Sequence, residues 1–128
     1  MPGPARAGAL IYAKRLESLS AFYQALLSMR VLVEDTDHHV LGNEDIQLII
    51  HAIPEHIART IEISVPPEPR EEQAIKLFFT VPSLGEGERR ASELGGGLLG
   101  PVYDGPGFRS RNAFDPEGNI FHLRASAP

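Results

Sequence analysis

The chain has no cysteine. That removes any disulfide framework and any thiolate site, so a metal ion would have to be held by His, Asp, Glu or Gln. No apolar run approaches the roughly 20 residues needed to span a bilayer, and the first residues, MPGPARAG, lack the apolar core of a signal peptide. A cytoplasmic protein with no membrane partner is expected. Basic charge is scarce: 12 Lys and Arg against 17 Asp and Glu leave a formal net charge of -5. A nucleic-acid partner held through phosphates would need a basic face, so that class is excluded; the acidic balance suits a cationic ligand and Lys76 an anionic one, which leaves ligand charge undecided. The glycines at 85, 87 and 95–97 make no phosphate loop, because no G-x-G-x-x-G or Lys-Ser/Thr follows a strand in the needed order. A nucleophile elbow with its Ser-His-Asp partners is missing too.

What remains is ordinary for one compact soluble domain: 128 residues, 42% hydrophobic and 23% charged. After a Pro/Gly-rich and flexible N-terminus at 1–7, GALIYA reads as a strand over Gly8 to Ala13. Leu16, Leu19, Tyr23, Leu26 and Leu27 then recur at spacings of three and four, which puts one apolar stripe on a helix of about three turns. Ser18 and Ser20 suit its first turn or cap. Strands are expected at Val31 to Glu34, His39 to Leu41 and Ile46 to Ala52, separated by polar turns. From 54 to 73 four prolines break the pattern and mark a linker, although Ile61, Ile63 and Val65 alternate like a brief edge strand.

The same order then restarts. Ala74 to Val81 reads as a strand, and Pro82 to Leu94 as a helix with a capping box of Ser83 and Glu86. Gly95 to Gly97 ends that helix. Leu98 to Val102 follows as a strand, then the loop Asp104 to Gly107, which has the composition of a lid or of a plain connection. The closing hairpin is FRSRNAFDPEGNIFHLR, turning at Asp115 to Asn119. Two βαβββ modules result, at 8–53 and 74–128. Leu16 lies over Leu84, Gly8 over Lys76, and His51 falls opposite His122.

LESLSAFYQALL after a first strand, IKLFFTV entering the second unit and DPEGNIFHL at the end together resemble the vicinal oxygen chelate superfamily of glyoxalase I, extradiol dioxygenases, fosfomycin-modifying enzymes and bleomycin-resistance proteins. The resemblance covers nearly all of the chain from Gly8 onward. It implies an α+β fold of tandem βαβββ modules forming an open, cup-like mixed β-barrel with helices packed outside, often completed in a homodimer. It also implies, in the enzymes, one divalent metal on side chains from the first and last strand of each module. Carried over, those positions are Gly8, His51 or a neighbour in its strand, Lys76 and His122. Glycine has no side chain and a lysine ammonium has no free lone pair, so two imidazoles remain and no metal cofactor is expected.

Strand alternation sorts the remaining candidates. Leu10 and Tyr12 join Gly8; Gln47 and Ile49 join His51; Lys76, Phe78 and Thr80 form a third row; Ile120, His122 and Arg124 form the fourth. The opposite rows are wholly apolar, as a sheet face packed under helices requires. The mixed face is the expected ligand face, with Tyr12, Gln47, His51, Lys76, Phe78, His122 and Arg124 as binding residues and His51 and His122 as candidate catalytic groups. No paired carboxylates fall on it. The leading expectation is a metal-free small-molecule-binding protein. The alternatives are a divalent-metal lyase, isomerase or dioxygenase on His51 and His122, supplemented by water or a carboxylate such as Glu44, and a metal-free enzyme with a His general base. A filled barrel is the plainer reading, with Tyr12 and Phe78 as core. His38 and His39 point to opposite faces of a solvated turn and are not read as a metal pair, and His56 is weaker still. Arg109 and Arg111 are read at a strand edge or rim.

Overall fold

The computed structural model describes residues 5–127, and they divide into two compact units between Glu62 and Ile63. In the first unit the apolar stripe does form a helix, α1, over Leu16–Leu27, which buries Leu16, Leu19, Phe22, Tyr23, Leu26 and Leu27. Its N-cap is Arg15, with no side-chain cap, so neither serine takes that role. Ser20 is buried instead, and its Oγ lies 2.6 Å from His39 Nδ1 and accepts from Gln24 Nε2 at 3.0 Å.

Four strands complete the unit: β1 Gly8–Ala13, β2 Arg30–Glu34, β3 His38–Gly42 and β4 Gln47–Ala52, in sheet order β1-β4-β3-β2. β1 and β4 run parallel, as the helical crossover between β1 and β2 permits; the other pairs are antiparallel hairpin neighbours. Leu41, Leu48 and Ile50 are completely buried on one face, together with Ala13. His39 is buried on that same face at 2% exposure. The expectation of a solvated turn at His38 and His39 is therefore wrong: both residues lie inside β3, and burial of the alternate side chain follows from strand parity.

The second unit repeats the plan with β5 Phe78–Thr80, helix α3 Leu84–Glu93, β6 Gly97–Gly105, β7 Phe108–Phe114 and β8 Ile120–Ser126, in order β5-β8-β7-β6. The Ser83 side chain caps α3 by accepting from Glu86 N at 3.1 Å. β5 is shorter than the expected Ala74 to Val81 strand, because the Gln73 side chain takes over the pairing at the start of β8: its Nε2 donates to Ile120 O at 2.6 Å and its Oε1 accepts from Ile120 N at 3.3 Å. The loop expected at Asp104 to Gly107 is half strand, since β6 runs through Gly105 and closes on β7 over Pro106 and Gly107 alone, with Gly107 at φ 79°.

The connecting stretch holds a short helix, α2, over Glu55–Ala58, and no strand forms at Ile61, Ile63 and Val65. Arg70 is tied down by its N–H to Gly118 O at 2.8 Å. No helix among the described residues is long and apolar enough to cross a membrane.

Candidate functional site

Each sheet has one face under its helix and one open face. On the open face of the first unit the register stacks the candidates in rows. Tyr12 is opposite His51, which is opposite His38; Leu10, Ile49 and Val40 form the next row; Gly8, Gln47 and Gly42 the next. The Tyr12 and His51 rings meet edge-on at 5.8 Å, and the His51 and His38 rings stack at 5.9 Å. His51 Nδ1 donates to Ala52 O at 2.9 Å, which leaves Nε2 as the acceptor on the open face. His38 Nδ1 lies 2.7 Å from Asp37 Oδ1, and this bond holds the Asp37 carboxyl below its usual range. A depression of about 460 Å³ runs beside the last row, over Gly8, Leu10, Gln47 and Ile49.

The second unit gathers the charges. Phe78 is opposite His122, which is opposite Asn112; Thr80 is opposite Arg124, which is opposite Ser110. The Arg124 guanidinium lies between two rings, 4.0 Å from the centroid of Phe78 and 4.3 Å from that of Phe108. Its Nε is buried and makes no hydrogen bond. Lys76 Nζ donates to Asn112 Oδ1 at 3.3 Å. Burial, then the charges of Lys76 and Arg124, push the His122 imidazole below its ordinary pKa. Tyr12 and Phe78 are 61% and 57% exposed, so neither is the core residue that a filled barrel requires.

Two expectations need correcting. With the helix starts Leu16 and Leu84 aligned, Tyr12 falls on Thr80, and their ladder partners are His51 and Arg124. His51 therefore corresponds to Arg124, and His122 to Ile49; the two histidines are one row out of step. Arg109 and Arg111 are also misplaced by the rim reading, since β7 is an interior strand and their parity is that of the helix-side face. Arg111 donates to Glu88 Oε2 on α3 at 2.6 Å, and Arg109 lies 3.2 Å from Asp104 Oδ1. What strand reading missed is Phe108 as the second ring on Arg124; it shares the parity of Arg124 across the hairpin, and that was the available signal.

The donor set does not fit the superfamily's divalent metal. Gly8 offers no ligand atom, and a Cβ there would meet Gln47 O at 2.5 Å, so the close β1–β4 approach itself keeps the position bare. On the other unit His122 sits beside two cations, which oppose a third. Glu44 lies in the turn after β3, outside the open-face rows of that unit.

Residues 9–124 match the family model of the glyoxalase-like domain. Among solved structures, a glyoxalase/bleomycin resistance protein/dioxygenase family enzyme from Burkholderia phytofirmans PsJN is 18% identical at a TM-score of 0.70, covering 94% of this chain and 98% of that one. The fosfomycin resistance protein FosX from Mesorhizobium loti is 15% identical at 0.64, with coverage of 99% and 95%. A bleomycin-binding protein complexed with bleomycin is 17% identical at 0.61, with coverage of 97% and 100%. Among curated protein sequences none matches. At these identities the structures speak for the fold, and the family match speaks for the chain: it belongs to the glyoxalase-like domain family of the vicinal oxygen chelate superfamily.

Proposed function

We propose that this chain is a small-molecule-binding protein whose ligand is an organic anion held without a metal on the open sheet face of the second unit. The observation that carries this reading is the Arg124 guanidinium fixed between Phe78 and Phe108 with a buried, unbonded Nε. Stacking fixes the plane of the guanidinium fork and leaves its N–H groups for a carboxylate or a similar planar acceptor. Lys76 adds positive potential beside it and the His122 imidazole, held below its ordinary pKa by burial and by these two cations, adds a ring nitrogen for hydrogen bonding; the paired strand positions of this face carry no carboxylate. The ligand's apolar part would lie on the exposed ring of Phe78. This local field decides ligand sign against the chain's net charge of -5, because at a few ångströms the near charges outweigh distant screened ones. Tyr12, Gln47 and His51 lie on the open face of the first unit and are candidate small-molecule contacts of that face by itself.

The likeness to a bleomycin-binding protein supports small-molecule binding as the class of activity. In this reading the protein acts as a homodimer, for which light scattering should return twice the 14.0 kDa chain mass.

A thermal-shift and titration screen of aromatic carboxylic acids, with cationic aromatic drugs in parallel, tests the reading. Aromatic acids should bind, EDTA should leave that binding unchanged, and Arg124→Met should weaken it by about 10- to 100-fold, the range for a lost charge-assisted hydrogen bond. Preferential binding of the cations, or an Arg124→Met variant that binds acids as well as wild type, would count against it.

A further inference from the structure

The helix-side face of the first unit contains one polar group that packing does not explain. His39 is 2% exposed between α1 and the sheet, yet its Nε2 has no hydrogen-bond partner. That nitrogen is aimed at two carboxylates: Glu17 Oε1 on the first turn of α1 is 3.6 Å away, and Glu34 Oε1 at the end of β2 is 3.9 Å away. The three donor atoms all lie within 4.8 Å of one another, and both carboxylates are open to solvent. The other ring nitrogen is already engaged, with Nδ1 at 2.6 Å from Ser20 Oγ, itself held by Gln24.

We infer that Glu17, Glu34 and His39 form a binding site for one divalent cation of the zinc class, distinct from the open ligand face. Nδ1–H donates to Ser20 Oγ in this arrangement, which turns the Nε2 lone pair toward the carboxylates, as the outer partner of a metal-bound histidine does. Ligand lengths of about 2.0 to 2.2 Å place tetrahedral donors roughly 3.3 to 3.5 Å apart. The observed 3.6 and 3.9 Å separations need to close by only a few tenths of an ångström, and the two glutamates are exposed enough to do so. One nitrogen and two carboxylates suit zinc, and a fourth position faces solvent for water. The bound ion ties the first turn of α1 to β2 and β3 and neutralises a cluster that otherwise sets two carboxylates around a buried ring.

The site lies on the opposite sheet face from His51, so the two are separable by experiment. EDTA-treated protein is titrated with Zn²⁺ by calorimetry and thermal shift, with Co²⁺ absorption as a check on coordination. Wild type should bind one equivalent per chain and gain several degrees in Tm. Glu17→Gln with Glu34→Gln, both surface changes that leave the fold intact, should weaken zinc by more than a hundredfold. Ser20→Ala should weaken it by about 10- to 100-fold. His51→Asn with His122→Asn should keep the full equivalent. No zinc uptake, or uptake that the glutamate pair does not alter, overturns the site; loss of the equivalent in the His51/His122 variant overturns it as well.

Discussion

Asp115 shows how much one side chain can carry in this fold. It is fully buried in the β7–β8 turn, and its carboxylate accepts from Glu117 N at 2.9 Å, Asn119 N at 3.1 Å and Asn119 Nδ2 at 2.9 Å. Asp115→Ala strands two backbone amides, so a loss of about 2–3 kcal/mol in urea unfolding is expected; a loss well under 1 kcal/mol would show that water replaces the carboxylate. His122 gives the pH counterpart. Its folded-state pKa lies below the ordinary value of 6.5, mainly through burial and then through Lys76 and Arg124. The unfolded chain therefore takes up the proton first as pH falls. Stability is complete above about 6.5 and declines as pH drops below it toward the folded pKa. Denaturation midpoints measured from pH 7.5 to 5 should show that slope, and His122→Asn should flatten it. The proline-glycine turn chemistry at 115–119 was legible in the sequence. The burial of His39 was not, because a polar residue in a short strand gives no sign of which face the helix will cover.

At the scale of elements, periodicity and caps did most of the predicting. α1 follows its leucine spacing, and α3 starts at Ser83 because that side chain satisfies the Glu86 amide. Ser83→Ala should cost about 1 kcal/mol, read by thermal unfolding. β1 is more constrained than a short edge strand suggests. A Cβ at Gly8 would press on Gln47 O at 2.5 Å, so Gly8→Ala should destabilise by about 1–3 kcal/mol and loosen hydrogen-exchange protection in β1 and β4. Where the sequence misled, tertiary partners were the reason. Ile61, Ile63 and Val65 alternate but find no neighbouring strand, and β5 is cut short by the Gln73 side chain. Register was the other blind spot: His51 and His122 look equivalent by distance from their turns, yet the ladders match His51 to Arg124.

Across the whole molecule, an acidic chain carries two cations, Lys76 and Arg124, on the open face of its second unit. Attraction to an anion is then local and only partly buried, so its affinity should fall severalfold between about 0.05 and 0.5 M salt as screening shortens the reach of those charges. A salt-independent affinity would place the anion deeper than this face allows. The same separation of scales keeps the two proposed activities apart, with anion binding on an open sheet face and cation binding at Glu17, Glu34 and His39 on a helix-covered one.

By itself the sequence determined the βαβββ repeat, helices α1 and α3 with the Ser83 cap of the latter, the closing turn and the parity that puts Tyr12, His51, Phe78, His122 and Arg124 on open faces. These follow from local rules: side-chain period, capping and turn geometry act over a few residues. Only the tertiary structure decided which rows face each other, that Phe108 completes the clamp on Arg124, that Arg111 serves Glu88 rather than a ligand, and that His39 lies buried between Ser20 and two glutamates. Those outcomes depend on strand register and on which sheet face a helix covers, and such choices are made by contacts between residues far apart in the chain.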